Sequence, residues 1–227
     1  MMRIPIITDH RVRLFGVQTN THALIGLAGF WRRPLRGSGW ASVVGAVLPD
    51  AFIGALLAVS RAKKIPNKQI WSEEYFKEPW VTRGAISNSV PLWSALLLGG
   101  TILKVVHPKT GELVTIAAKS GLSHLAIDFA THADDAHQHF WPISDWQFNS
   151  PVSYWDVRHH ANYVMPVEGA IGLAAIRSLW PNTTSILQRG GLVLFGAAST
   201  ALVLGPAIRP LVTRVCQPND DQETAQD

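Results

Sequence analysis

Two long windows of this sequence contain no charged residue, and they constrain the fold more than any other feature. They are residues 84–103 and residues 191–208. About 20 consecutive, mainly apolar residues are needed to cross the hydrocarbon core of a bilayer. A third window, residues 38–60, is also apolar and carries Asp50 as its single charge. These windows predict helices that span a membrane.

Three further apolar segments are interrupted by polar residues, and they cover residues 14–31, 113–130 and 163–180. We therefore predict an all-α, polytopic membrane helix bundle of four to five spanning helices with one long His/Asp-rich loop. A single integral-membrane domain over residues 1–216 and a polar, disordered tail over residues 217–227 are expected. The expected location is the cell inner membrane, in a multi-pass arrangement with the lipid bilayer as partner. A soluble, all-helical protein with buried helices is the alternative.

Composition supports the membrane interpretation. Charged residues make up 16% of the sequence, below the roughly 25% typical of soluble domains. Basic residues form short clusters between the apolar windows, as they do beside membrane helices. Because they form no stripe with interleaved aromatic residues, we expect no nucleic-acid partner. Basic residues occur in loops on both sides of the predicted spans, so they do not predict which side of the membrane each loop faces. The single cysteine, Cys216, cannot form an internal disulfide.

Histidine and aspartate are concentrated in residues 123–160, which hold six of the nine histidines. The run begins as the end of an apolar helix and continues with too many Pro, Asp, Asn and Ser residues to remain one. We predict a long functional loop there. Imidazole and carboxylate groups at close spacing are ligands for a divalent metal of the zinc or manganese type. The candidates in this run are His124, Asp128, His132, Asp134, Asp135, His137 and His139.

His124 and Asp128 are four residues apart, which places both side chains on one face of a helix. Ionisable groups inside an apolar helix are costly unless they are paired, hydrated or bound to a metal. With His132 one further turn along, the spacing favours a shared metal site. A His–Asp hydrogen bond that fixes helix packing is the other interpretation.

Two polar residues in other apolar segments join the candidates. Asp50 follows Pro49, which can kink the helix, and it is either a metal ligand or a partner for a buried cation such as Lys119. His22 is either a ligand or a hydrogen-bonded interior residue.

Weaker candidates lie near the ends of the predicted helices. Arg83, with Ser87, Asn88 and Ser89 after it, can bind a phosphate or can simply anchor and cap the helix. Aromatic residues in the loop favour a membrane-interface belt over substrate stacking, and they are Trp141, Trp146, Tyr154 and Trp155. His159, His160 and Glu168 are weaker candidates for ligands, and Glu168 also for a base.

Several short motifs, taken in order, resemble the bacterial membrane-bound metal-dependent hydrolases, a family distantly similar to zinc-dependent phospholipase C. They are THALIG at 21–26, VLPD at 47–50, RGAISNS at 83–89 and SHLAIDFATH at 123–132. The segment WPISDW at 141–146 also resembles a Pro-Phe-Ser type of segment in that family. The resemblance covers roughly residues 19–160.

The resemblance implies that His22, Asp50, His124 and Asp128 bind metal or support its ligands, and that Arg83 faces the substrate. One position departs from the family pattern, because Asn88 stands where a histidine is usual. Another histidine from the loop then replaces it, or the metal differs, or the activity is lost. An amide oxygen is a poorer zinc ligand than an imidazole.

These considerations predict a membrane-bound metal-dependent hydrolase that acts on a phosphoester of a lipid or another small amphiphile. The expected cofactor is zinc, with manganese as the alternative. The expected metal ligands are His22, Asp50, His124, Asp128, His132 and His137. Catalytic roles are expected for Asp128, Asp135 and Arg83, with Asp134 as another candidate base. A metal carrier or ion-translocating protein that uses the same residues is the alternative of a different class.

Overall fold

The computed structural model describes residues 19–215, apart from the side chains of Leu202 and of residues 206–215. All regular secondary structure in that range is helical. Its α-helices are α1 Thr19–Phe30, α2 Ser38–Val47, α3 Ala51–Ala62, α4 Asn67–Ser72, α5 Trp80–Ser87, α6 Val90–Leu103, α7 Pro108–Thr131, α8 Ala161–Leu179 and α9 Ile186–Val215. The predicted tail and Cys216 lie outside the described residues.

Helix α7 is the central element of the bundle, and it packs against α1, α2 and α6. Small residues allow α2 to approach it closely. A Cβ atom on Gly45 of α2 would overlap the backbone carbonyl of Ala117 in α7. One turn along, the Ser120 hydroxyl donates a hydrogen bond of 2.7 Å to the Ser42 carbonyl oxygen. These contacts fix the rotation of α7 and therefore the direction in which its polar face points.

Two further groups of helices complete the fold. Helices α8 and α9 pack against each other and against α1, around a core that includes Leu24, Leu179 and Leu192. Helices α3, α4 and α5 form a separate layer around Leu56 and Ile70.

Two apolar segments are broken near their middle. A 3-10 turn, Leu48–Asp50, separates α2 from α3, at the Pro49 that predicted a kink. The predicted helix over residues 84–103 is also interrupted, because Ser89 has an extended backbone. The Ser89 hydroxyl accepts a hydrogen bond of 3.2 Å from the Leu92 amide and so caps α6. The two breaks contact each other, because the Asn88 amide donates a hydrogen bond of 3.4 Å to the Pro49 carbonyl oxygen.

Three helical segments are long and apolar enough to cross a membrane, which indicates a membrane protein. They are Ser38–Ala62, Trp80–Leu103 and Ile186–Gly205. The expected four or five spans are not confirmed. Helix α1 has only 12 residues, and α7 carries charged residues along its length.

The chain between α7 and α8 is a long loop, as predicted, and it is not α-helical from His132 to Asp156.

The opposite end of α7 is held by ion pairs. The Glu112 carboxylate pairs with Arg32 at 2.9 Å and with Lys104 at 2.5 Å. The His/Asp-rich loop and this ion-pair cluster therefore lie at opposite ends of α7.

Candidate metal centre

Imidazole and carboxylate side chains from separate elements meet at the polar face of α7. His124 and Asp128 lie one turn apart on that helix, and both are buried. His22 comes from α1, and Asp50 comes from the turn between α2 and α3. His132 directly follows the last residue of α7 and caps the helix. The structure therefore brings together residues more than 100 positions apart in the sequence.

Asp128 is the centre of this cluster. Its Oδ2 atom lies 2.8 Å from Nε2 of His124. Its Oδ1 atom lies 3.2 Å from Nε2 of His22 and 3.7 Å from Nε2 of His132. Nε2 of His124 is also 3.6 Å from Oδ1 of Asp50. One carboxylate is thus surrounded by three imidazoles.

In two of these rings, the Nδ1 atom, which is not the one that approaches Asp128, already has a hydrogen-bond partner. Nδ1 of His124 donates a hydrogen bond of 2.6 Å to the Ala46 carbonyl oxygen. Nδ1 of His132 donates one of 2.9 Å to Oδ2 of Asp135. With the Nδ1 proton assigned by these partners, Nε2 of each ring faces the cluster and presents a lone pair there when the ring is neutral. Either a proton or a metal ion between Nε2 and the carboxylate oxygens would satisfy both groups, and metal-bound histidines are held in this way.

The spacing of the donor atoms fits a metal ion. Two ligands each about 2.0 Å from a tetrahedral ion stand about 3.3 Å apart. The separations of 2.8 Å, 3.2 Å and 3.6 Å among His22, His124, Asp128 and Asp50 bracket that value. Ligand atoms of His22, His124 and Asp128 all lie within 4.8 Å of one another. The buried group could therefore hold a metal ion, although the spacing does not specify which metal.

A second set of donors adjoins the first. Ligand atoms of Asp128, His132 and His137 also lie within 4.8 Å of one another, and all three residues are buried. Burial, together with the charge of His132, lowers the pKa of His137 to about 3, so this ring is neutral at physiological pH. Burial disfavours the charged form of His132, but Asp135 and Asp128 outweigh it and raise its pKa well above the ordinary value. The carboxylates therefore attract positive charge to His132.

Asp135 supports the site from behind His132. Its Oδ2 atom accepts a hydrogen bond of 2.9 Å from the indole nitrogen of Trp155 in addition to the one from His132. Its Oδ1 atom is buried and has no hydrogen-bond partner among residues 19–215. The Tyr154 ring packs edge-on against His132, with centroids 4.8 Å apart. Trp155 and Tyr154 are thus parts of the site and do not simply form an interfacial belt.

Asn88 and His139 meet at the break before α6. The Asn88 amide donates a hydrogen bond of 3.1 Å to the Gly84 carbonyl oxygen, while its Oδ1 atom is buried without a hydrogen-bond partner in the described residues. Nδ1 of His139 donates one of 3.0 Å to the Asn88 carbonyl oxygen. Nε2 of His139 is also buried and without a partner within residues 19–215. Nε2 of His139 is therefore a free potential metal ligand, and His139 lies beside Asn88, the position at which the family pattern has a histidine.

Other predicted residues lie outside the cluster. Arg83 is exposed on α5, with its guanidinium 4.5 Å from the centroid of the Trp80 ring. The alternative partner for Asp50 is not used, because Lys119 is exposed and Asp50 accepts a hydrogen bond of 2.6 Å from Thr19. His160 precedes α8 and stands near Tyr163.

Asp134, Asp156 and His159 form a third group with donor atoms close together. The Arg158 guanidinium already pairs with both of its carboxylates, at 3.0 Å from Asp134 and 2.5 Å from Asp156. Glu168 is a separate case, since both of its carboxylate oxygens are buried and have no hydrogen-bond partner in the described part of the chain. It belongs to none of the three groups of possible metal ligands.

One contributor to the site lay outside the sequence predictions, and another was predicted only by its residue type. Tyr75, from the segment between α4 and α5, packs against Phe52, whose ring in turn contacts His137. Burial and the carboxylates of Asp135, Asp128 and Asp50 raise the pKa of Tyr75 well above its ordinary value, so its hydroxyl remains a hydrogen-bond donor. No motif marks Tyr75. His139 was a candidate because of composition, but spacing alone did not show that it points inward.

No family model, curated protein sequence or solved structure matches this chain. The likeness to membrane-bound metal-dependent hydrolases therefore depends on the order of the short motifs alone. The geometry adds an independent fact, because His22, Asp50, His124 and Asp128 lie in one cluster.

Proposed function

We propose that this protein is a membrane-bound metal-dependent hydrolase that cleaves a phosphoester of a lipid or another small amphiphile. The observation that carries the proposal is the Asp128 carboxylate, buried among three imidazoles that come from α1, α7 and the start of the loop. A divalent ion held there would lower the pKa of a water molecule and polarise a substrate oxygen. Zinc suits the mixed nitrogen and oxygen donors best, and manganese is the second choice.

The residues around the cluster have separate roles in this proposal. His22, His124 and Asp128 hold the ion, and Asp50 adds a carboxylate 3.6 Å from His124. Asp135 fixes the ring of His132 through Oδ2, while its buried Oδ1 atom is available to accept a proton.

Arg83 is the proposed phosphate contact at the edge of the site. It is exposed on α5, and the next residue, Gly84, packs beside His137. A modest rotation of its long side chain away from Trp80 would bring a bidentate donor toward a bound phosphate. The adjacent apolar helix segments would keep the rest of an amphiphilic substrate in the bilayer.

The test is hydrolysis of bis(p-nitrophenyl) phosphate by detergent-purified protein. We expect turnover that disappears when a chelator strips the metal and returns when zinc or manganese is added. We also expect Arg83→Ala to raise KM more than it lowers kcat, since Arg83 binds the phosphate without holding the ion. Metal-loaded protein that cleaves neither this compound nor a phospholipid in mixed micelles would contradict the proposal.

A metal carrier is the second candidate, and one observation favours it. Both helix breaks release backbone carbonyls next to the cluster, at Ala46 and Asn88, each of which accepts a hydrogen bond from a histidine. Interrupted helices with polar groups at the break also line ion pathways in transporters. Zinc entry into sealed proteoliposomes without any phosphoester turnover would favour the carrier.

A further inference from the structure

The donors beyond the first metal position form a second one. His132 ends α7 one turn after Asp128, and His137 reaches back from the loop. The His132 and His137 ring centroids lie 5.0 Å apart. Asp128 is common to this group and to the group that contains His22 and His124. The two groups are therefore adjacent and joined through one carboxylate.

The two oxygens of Asp128 are unequally engaged. Nε2 of His124 approaches Oδ2 at 2.8 Å. Oδ1 has two imidazole nitrogens near it, from His22 at 3.2 Å and from His132 at 3.7 Å. The longer separation exceeds a hydrogen bond, which for N–H···O measures 2.7–3.2 Å. It is long enough for an ion to lie between His132 and the carboxylate.

The second position is also prepared by its surroundings. Nδ1 of His132 donates a hydrogen bond to Asp135, and the indole nitrogen of Trp155 donates another that holds Asp135 in place. Nε2 of His139 is buried and has no partner among residues 19–215, although the outer nitrogen of that ring is fixed by Asn88. The His137 and His139 ring centroids are 6.0 Å apart. An unsatisfied buried nitrogen beside two further imidazoles is readily explained by a ligand that satisfies it.

We infer that Asp128 bridges two divalent ions, the second of which is bound by His132 and His137 with His139 as a further donor. This inference rests on the proposed metal centre and specifies its type. Sites with two metals about 3.5–4 Å apart stabilise both the attacking and the leaving oxygen in phosphoester displacement. Such a pair therefore suits the phosphoester substrate of the proposed function.

The experiment is a count of bound ions by elemental analysis of purified protein equilibrated with excess zinc and then desalted. We expect two zinc ions per wild-type chain and one per chain in His132→Ala and in His137→Ala. His107→Ala is the matched control, because His107 is exposed before the opposite end of α7, and it should retain two ions. Mn²⁺-loaded wild type should show the electron paramagnetic resonance spectrum of a coupled pair.

A conservative variant protects the test against misfolding. Trp155→Phe keeps an aromatic side chain but removes the donor to Asp135, and outer-shell changes of this kind weaken metal binding by about 10- to 100-fold. We expect that loss for the second ion only. One ion per wild-type chain, or two ions in both histidine variants, would overturn the inference.

The stoichiometry and the activity fail independently. Metal-dependent turnover with a single bound ion would support the proposed hydrolase and contradict the bridged pair of ions. Two bound ions without phosphoester turnover would support the pair and contradict the hydrolase.

Discussion

Asp128→Asn is expected to abolish phosphoester turnover and to leave the purified protein with little bound metal. Asp128 is buried and approaches three imidazoles, so it is the residue on which every ion position in the cluster depends. The amide has almost the shape of the carboxylate but no negative charge. We expect kcat to fall by more than the about 10- to 100-fold typical of an outer-shell change. Steady-state kinetics and elemental analysis of the same preparation measure both effects.

Asp145→Asn is the matched control for this substitution. Asp145 lies in the same loop as His137 but is exposed, and no ion pair involves it within the described residues. The same chemical change there should leave kcat and metal content unchanged. An Asp128→Asn protein that kept its metal and its turnover would show that the carboxylate is structural.

Metal removal is expected to lower the unfolding temperature by about 8–16 °C. An ion present at about 1,000 times its dissociation constant stabilises the folded state by about 4 kcal/mol. Each kcal/mol shifts the midpoint by about 2–4 °C in a chain of this size. Without an ion, the buried carboxylate of Asp128 and the half-buried carboxylate of Asp135 lose a source of compensating charge. Thermal unfolding in detergent, with and without a chelator, measures the shift.

The Asp128→Asn variant serves as the reference for this measurement. Since it binds little metal, a chelator should change its midpoint by much less than that of the wild type. Equal midpoints of wild-type protein with and without a chelator would contradict the prediction, provided that elemental analysis shows the metal was removed.

The helical part of the site could be predicted from the sequence, because helix geometry is periodic. Residues four apart share a face, so His124 and Asp128 had to be neighbours once that segment was helical. Pro49 marked the turn that carries Asp50. Ser89 was a candidate helix cap and does cap α6, but the uncharged window was interpreted as one continuous helix, so the break before α6 was not predicted.

The loop part of the site could not be predicted to the same extent. Asp134 and Asp135 are adjacent, yet one pairs with Arg158 and the other with His132. Loop residues have no fixed period, so spacing does not show which side chain points inward. The same holds for His139, which lies beside Asn88, 51 positions away in the sequence.

The convergence of His22 and Asp50 on α7 is a tertiary property. Only the order of the motifs suggested it, since neither segment contains a second histidine or carboxylate at helical spacing. The close approach of α2 to α7 at Gly45 then brings Asp50 and the Ala46 carbonyl to His124. Packing of small residues thus determines where the donors meet.

Elemental analysis of detergent-purified wild-type protein beside His124→Ala tests the central claim most directly. His124 is buried, contacts Asp128 and lies 3.6 Å from Asp50, so its removal takes a donor from the middle of the cluster. The account predicts at least one zinc or manganese ion per wild-type chain and a clear loss of metal in the variant. Folded wild-type protein that contains no transition metal, even after equilibration with excess zinc, would contradict it.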